Sequence, residues 1–290
     1  MKKWNLLVLA LSLALSMILL AGCGGGSAEF DYAKDISVVT RESGSGTRGA
    51  FIELFKVEVK EGDTKKDMTT ANAITTNKTD VVLTTVAGNE YSIGYVSVGS
   101  LNPSVKAMII DGAEATTANI KNGSYKISRP FIVATQGEAE GPTKDFIGFI
   151  LSKEGQAVIE ANNYVSVLDD AAPYKTANSS GKTVVAGSSS VAPVLEKLKE
   201  AYEEVNPNVK IEIQITDSSA GLKTVAGGTC DIGMSSRNLT PEESAELKDT
   251  VIAMDGIAVI VSKDNPVTDL TSEQVRQVFV GEITDWDGVR

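Results

Sequence analysis

"KTVVAGSSSVAPVLEKLKEAYEEVNPNVKIEIQIT", residues 182–216, holds three signals in succession. "KTVVAG" (182–187) is a β-rich run, and so is "VKIEIQIT" (209–216). Between them Val191, Val194, Leu195, Leu198, Tyr202 and Val205 recur at helical spacing. The small-residue turn "GSSSVAP" (187–193) joins the first strand to the helix. A strand, a serine turn, a helix and a second strand predict an α/β unit with its strands side by side.

The same alternation extends outward in both directions. "ISVVT" (36–40), "YSIGYVSV" (91–98), "VKAMII" (105–110) and "PFIVAT" (130–135) read as strands, as do "CDIGM" (230–234) and "TVIAM…GIAVIVS" (250–262). "TKDFIGFILSKEGQAVIEANN" reads as one helix through Phe146, Phe149, Ile150 and Val158, weakened by Gly148 and Gly155. "TPEESAELKD" starts with Thr240 as N-cap and Pro241 at the first helical position. "TSEQVRQVFVG" is capped by Thr271 or Ser272 and stopped by Gly281. Such a succession predicts largely parallel sheets flanked by helices. "DDAAPYKTANSSGK" (169–182) has the composition of a linker.

Two further Ser/Gly turns stand where a strand gives way to a helix: "ESGSGTRGAF" (42–51) and "TDSSAGLK" (216–223). A fourth, "GMSSRNL" (233–239), ends a strand. Small residues let backbone approach a ligand closely. The unsatisfied N–H groups and the dipole of a helix start favour an anion. Any one of these turns alone is equally an ordinary cap or loop. Four of them, with Arg41, Arg48 and Arg237 alongside, point to an oxyanion site, because Arg grips oxyanions bidentately.

Composition removes other classes. The chain has 290 residues and no histidine, which excludes Ser-His-Asp and Cys-His catalysis and disfavours zinc. There is no GxxxxGK[ST] loop. The first residues combine "MKK" with an apolar run and "LAGC", the pattern of a secretory signal over 1–22. Without Lys2 and Lys3, 25 basic residues face 38 acidic ones, a side-chain charge of −13. Nucleic acid is therefore not an expected partner. Affinity for an anion must come from fixed local donors rather than bulk potential. Cys230 is expected as a small core residue with no disulfide.

"LAGC" resembles the lipobox of bacterial lipoproteins, which implies lipidation of Cys23, a lipid-anchored linker over 23–33 and a position on the outer face of the cytoplasmic membrane. "GSSSVAPVLEKL", "SSAGLK", "DIGMSSR", "DGIAVIVSKDNPV", "LTSEQVRQVFVGEITDW", "SGSGTRGAF" and "IGYVSVGSL" together resemble the phosphate-binding proteins of phosphate ABC importers. The resemblance covers nearly the whole chain after the signal. It implies the two-lobed type II periplasmic-binding-protein fold: each lobe a mixed, largely parallel sheet flanked by helices, closing on inorganic phosphate. It also implies a monomer without cofactor or enzymatic activity that delivers phosphate to membrane permease subunits.

The order of motifs departs from that family. There GSSS comes first and GSGT late, whereas here the chain runs through GSGT, GYVS and the closing helix, then the linker, then GSSS. This resembles a circular permutation, with a fragment of a tandem duplication as the alternative. Lobe two is then expected over 34–125 and 266–290, and lobe one over 126–265. Carried over by motif, Arg41, Ser45, Gly46, Thr47, Ser189, Ser190, Ser218 and Ser236 would bind phosphate. Ser236 stands where many family members have an aspartate that accepts the phosphate proton, so Asp217 and Glu42 become candidate acceptors. A binder of another tetrahedral oxyanion such as sulfate, a surface phosphate sensor or adhesion protein, and an enzyme on phosphate esters with Ser45 or Ser189 as nucleophile are the alternatives.

Overall fold

The computed structural model describes residues 29–62 and 64–290. The signal segment and Cys23 lie outside the described residues. Tyr32–Arg290 forms one compact unit, and no described helix is long and apolar enough to cross a membrane.

In chain order its strands are β1 (Ser37–Arg41), β2 (Glu58–Glu61), β3 (Thr64–Asp67), β4 (Ile74–Thr76), β5 (Ser92–Ser97), β6 (Val105–Ala107), β7 (Ile109–Ile110), β8 (Ser128–Thr135), β9 (Gly181–Ser188), β10 (Val209–Thr216), β11 (Ile232–Ser235), β12 (Lys248–Ser262) and β13 (Asp269–Leu270). The helices are α1 (Gly46–Leu54), α2 (Thr79–Ala87), α3 (Thr117–Lys121), α4 (Gly141–Ile150), α5 (Lys153–Ala161), α6 (Ala192–Val205), α7 (Ser218–Ala226), α8 (Pro241–Glu246) and α9 (Ser272–Val280).

The main sheet runs β10-β9-β11-β8-β12-β5-β1-β4, with β6 also on β12. Strands β9, β10 and β11 pair in parallel, and so do β1, β4 and β5. Each antiparallel pairing in this sheet involves β8 or β12. The sheet is mixed, as expected, parallel toward the two edges and antiparallel in the middle. There, two long strands join the halves. Lys248–Gly256 of β12 pairs with β8, whereas Ile257–Ser262 pairs with β5 and β6. The change of partner along β12 falls at Gly256 and Ile257.

Helices cover both faces of the first half. Val185 and Ala186 are adjacent on β9 and point to opposite faces. Val185 joins a core with Leu195, Leu198 and Tyr202 of α6 and Phe146 and Phe149 of α4. Ala186 joins a smaller core with Leu222 and Val225 of α7 and with Cys230, which is buried as expected. The second half centres on aromatic rings: Phe51 of α1 stacks on Tyr95 of β5 at 3.9 Å, and Phe279 of α9 lies 4.5 Å from Phe51.

Several sequence expectations change in detail. "VKAMII" divides into β6 on β12 and β7 on β13. The long helix after residue 141 breaks in two, because Ser152 caps α5 through Gly155 N–H. A Cβ at Gly155 would also stand 2.6 Å from the Ile150 carbonyl oxygen. The β2–β3 hairpin and helix α2 were not foreseen. Thr240, Thr271 and Gly281 cap and stop their helices as expected, both threonines within capping boxes.

Near its two ends the unit is stitched together. Ile36 N–H donates to Thr284 O at 2.7 Å, Asp35 bridges Asp285, and Asp287 N–H donates to Tyr32 O.

Candidate functional site

The GSGT, SSAG and GSSS turns each follow a strand and precede a helix, as expected: β1 to α1, β10 to α7, and β9 to α6. Ser45 caps α1 by accepting from Arg48 N–H at 3.3 Å. Asp217 caps α7 by accepting from Ala220 N–H at 2.8 Å. Helix α6 starts at Val191 without a side-chain cap, which leaves Ser188, Ser189 and Ser190 for other partners.

Ser189 and Ser190 find theirs in the other half of the sheet, whereas Ser188 bonds within its own. Thr47 Oγ1 and Ser190 Oγ share a hydrogen bond of 2.7 Å. The Arg41 guanidinium donates through Nη2 to Ser189 Oγ at 3.1 Å and through Nη1 to Thr79 Oγ1 at 3.4 Å. Thr79 Oγ1 is also 3.4 Å from both Ser189 Oγ and Ser190 Oγ. Ser188 Oγ donates to Ser236 Oγ at 3.0 Å, and Ser236 N–H donates to Ser218 Oγ at 3.2 Å. Backbone contact closes the ring: Ser219 N–H donates to Gly44 O at 3.2 Å. A Cβ at Gly46 would overlap Ser218 Oγ and stand 2.7 Å from Ser236 Oγ. Gly46 is thus required to be small by close approach of the two halves.

Seven of the eight residues named from the motifs thus come together, and Ser45 caps α1 beside them. Arg41, Ser45, Thr47, Ser190, Ser218 and Ser236 are at most 3% exposed. A buried arginine is anomalous unless paired. Arg41 is paired: Nε and Nη2 fork onto the two carboxylate oxygens of Glu42 at 2.8 and 2.7 Å. Its backbone is held as well, its N–H donating to Tyr95 Oη and its carbonyl accepting from Arg48 Nη1. Tyr95 is the ring stacked on Phe51, so the aromatic core anchors the Arg41 backbone. Burial pushes the Tyr95 hydroxyl above its ordinary pKa, against the opposing pull of its bonds to Thr40 and Arg41, and so favours the neutral hydroxyl.

The other two arginines stand beside the ring with carboxylate partners of their own. Arg48 Nε pairs with Asp67, and Arg237 forks onto Glu243 while its Nη2 also donates to Ser219 Oγ of the SSAG turn at 3.1 Å. Both candidate acceptors are already engaged: Glu42 by Arg41, Asp217 by its cap. Two members went unforeseen. Thr79 opens α2 behind Lys78, an N-cap whose side chain makes no cap bond, so no capping signal marked it. Arg129 Nη1 donates to Ser236 O at 3.1 Å. Its signal was present: an arginine inside the apolar run "ISRPFIV".

A ring of hydroxyls, one guanidinium and the starts of α1, α2 and α7 present mostly donors. That is the chemistry of an oxyanion site. Among the described residues no His/Cys/Asp/Glu group could hold a metal ion.

The profile of the PBP superfamily domain matches residues 2–154 and 172–288. A phosphate-binding protein, PstS 2, of Streptococcus agalactiae is 53% identical over 99% of this chain and 98% of its own. The protein of the same name in Streptococcus pneumoniae is 42% identical over all of both chains. The crystal structure of a phosphate-binding protein of a phosphate ABC transporter from S. pneumoniae superposes with a TM-score of 0.72 at 44% identity, covering 89% of this chain and 100% of that one. The chain belongs to the PBP superfamily, in the group of its phosphate-binding members.

Proposed function

We propose that this protein binds inorganic phosphate between the two halves of its sheet, outside the cytoplasm, and delivers it to the permease of an ABC importer. The observation that carries the reading is the buried ring of Arg41, Thr47, Thr79, Ser189, Ser190, Ser218 and Ser236, built from both halves. The end-to-end relatives are named as phosphate-binding proteins. Phosphate exchanges its hydration shell for fixed hydroxyl, guanidinium and backbone donors. A ligand that leaves one of them unpaired forfeits about 1–3 kcal/mol for that buried group. Opening and closing of the halves admits and releases the ion.

Arg41 supplies the charge-assisted bonds. Ser45, Gly46 and Thr47 offer the start of α1, Ser218 the start of α7, and Ser189, Ser190 and Ser236 the remaining hydroxyls. The chain acts as a monomer held at the outer membrane face by lipid on Cys23. Its motif order is a circular permutation of the family's. The neighbouring positions of residues 35 and 285 support that reading, and the relatives aligned end to end share the order.

Titration calorimetry of the protein in detergent, against phosphate, sulfate, arsenate and molybdate, tests the ligand. Saturable phosphate binding at a single site is expected, and heat from none of the four would refute the site. Incorporation of labelled palmitate, abolished by Cys23→Ala, checks the anchor.

A further inference from the structure

Arg129 and Asp255 are 2% and 1% exposed and stand opposite each other in the β8–β12 ladder. They sit where β12 leaves β8 for β5, the crossing between the halves. The guanidinium sends its bonds to separate addresses. Nε and Nη2 both reach Asp255 Oδ2, at 3.4 and 3.2 Å, and Nη1 reaches the Ser236 carbonyl in the binding ring at 3.1 Å. The other carboxylate oxygen, Asp255 Oδ1, accepts from Ser97 Oγ at 2.7 Å. Ser97 is the last residue of β5, in the half that carries Arg41.

A chain of four residues thus runs Ser236–Arg129–Asp255–Ser97 from the ring, through the crossing, into the far half. Tyr164 packs against it, its ring filling the space a Cβ on Gly99 would occupy. Desolvation disfavours both charges, pushing Asp255 up and Arg129 down, with their mutual attraction opposing it in each case. A buried ion pair of this kind is weak evidence for stability, since an apolar replacement is often neutral or better. Stability alone therefore does not account for its place.

We propose that Arg129 and Asp255 are positioning residues that couple the Ser236 turn to the crossing strands, so that phosphate affinity depends on a network touching no ligand. The proposal rests on the reading of the ring as a phosphate site. When the halves rotate, the Asp255–Ser97 bond must stretch or break. That change reaches Ser236 through a guanidinium that holds Asp255 Oδ2 and the Ser236 carbonyl at once. Lysine, a point charge without a fork, cannot hold both Asp255 and Ser236 O.

The test uses the full chain with Arg129→Lys and Ser97→Ala. Ser97→Ala removes one hydroxyl far from the ring and leaves the ion pair in place. Amide hydrogen exchange without ligand, and calorimetry with inorganic phosphate, are read well below each variant's melting temperature. Ser97→Ala is expected to speed exchange at 97–100 and also at 235–237, and to weaken phosphate several-fold. Arg129→Lys is expected to weaken it about tenfold or more, the scale of one lost charge-assisted bond. Exchange changes confined to 97–100, with phosphate affinity within about twofold of the parent, would overturn the coupling. Failure of the parent itself to bind phosphate strikes the proposed function instead, and the exchange arm still decides the coupling. If Arg129→Lys does not fold, Ser97→Ala decides alone.

Discussion

Arg41 is the side chain on which most of the binding ring depends. Truncation to alanine removes bonds to Ser189 and Thr79 and leaves the Glu42 carboxylate without its partner. A charge-assisted bond contributes about 1.5–3 kcal/mol, so Arg41→Ala should weaken phosphate about tenfold or more. Ser189→Ala and Thr79→Ala should weaken it less, each without loss of fold, as calorimetry and circular dichroism can show. Gly46→Ala forces a methyl against Ser218 and Ser236, so phosphate binding should be lost while the melting temperature without ligand stays near that of the parent. Asp217→Asn separates two roles, because the amide oxygen still caps α7 while the charge is gone. If Asp217 accepts the phosphate proton, millimolar sulfate will compete in the variant and not in the parent; equal competition in both assigns it to the cap alone. Arg237 provides a contrast. Its hydrogen bonds hold the Glu243 carboxyl below the ordinary 4.5, outweighing desolvation. The folded state is then favoured above the unfolded-state value, and that contribution is lost as pH falls through the lower folded one. Arg237→Met should therefore make acid unfolding begin at higher pH, followed by circular dichroism. Ser45, Ser189, Ser218 and Arg41 were legible because turn chemistry is local. Thr79 was not, because its partner lies 110 residues away; Arg129 stood out as a charge in an apolar run, but its partner 107 residues away did not.

Most of the elements could be read from periodicity, and the failures have physical reasons. "EVKE" (58–61) in β2 has no buried residue, so no apolar alternation announced the hairpin. Helices α4 and α5 share one apolar stripe in sequence, and the Ser152 cap on Gly155 N–H breaks it. The linker proved to be tied down. Asp145 of α4, 6% exposed, accepts from Tyr174 Oη at 3.0 Å and Ala177 N–H at 3.3 Å, as well as from Tyr202 and Asn206 of the first half. Glu154 accepts from Tyr174 N–H. Asp145→Leu should free this strap. Four polar groups then lose a partner at about 1–3 kcal/mol for each that stays buried, and each kcal/mol lowers melting by about 2–4 °C in a chain of this size. Limited proteolysis between residues 175 and 180 should quicken in step, whereas a clean cut there in the parent should leave a folded, ligand-competent complex. Unfolding after that single cut would count against a permuted but continuous fold.

At the scale of the whole molecule, the site exists only where both halves meet, so ligand and fold are linked. Phosphate at a hundred times its dissociation constant should stabilise the closed protein by about 2.7 kcal/mol, visible as a higher melting temperature that rises with phosphate concentration. Sulfate at equal concentration tests selectivity by the same readout. The stitching of residues 35–36 to 284–285 has an optical consequence. A fluorophore pair attached beside those two positions rides on one half, so its energy transfer should stay constant whatever the halves do. Moving one dye to the strap near Asn178, on the other half, turns the same pair into a ruler for opening, with transfer rising as phosphate is added.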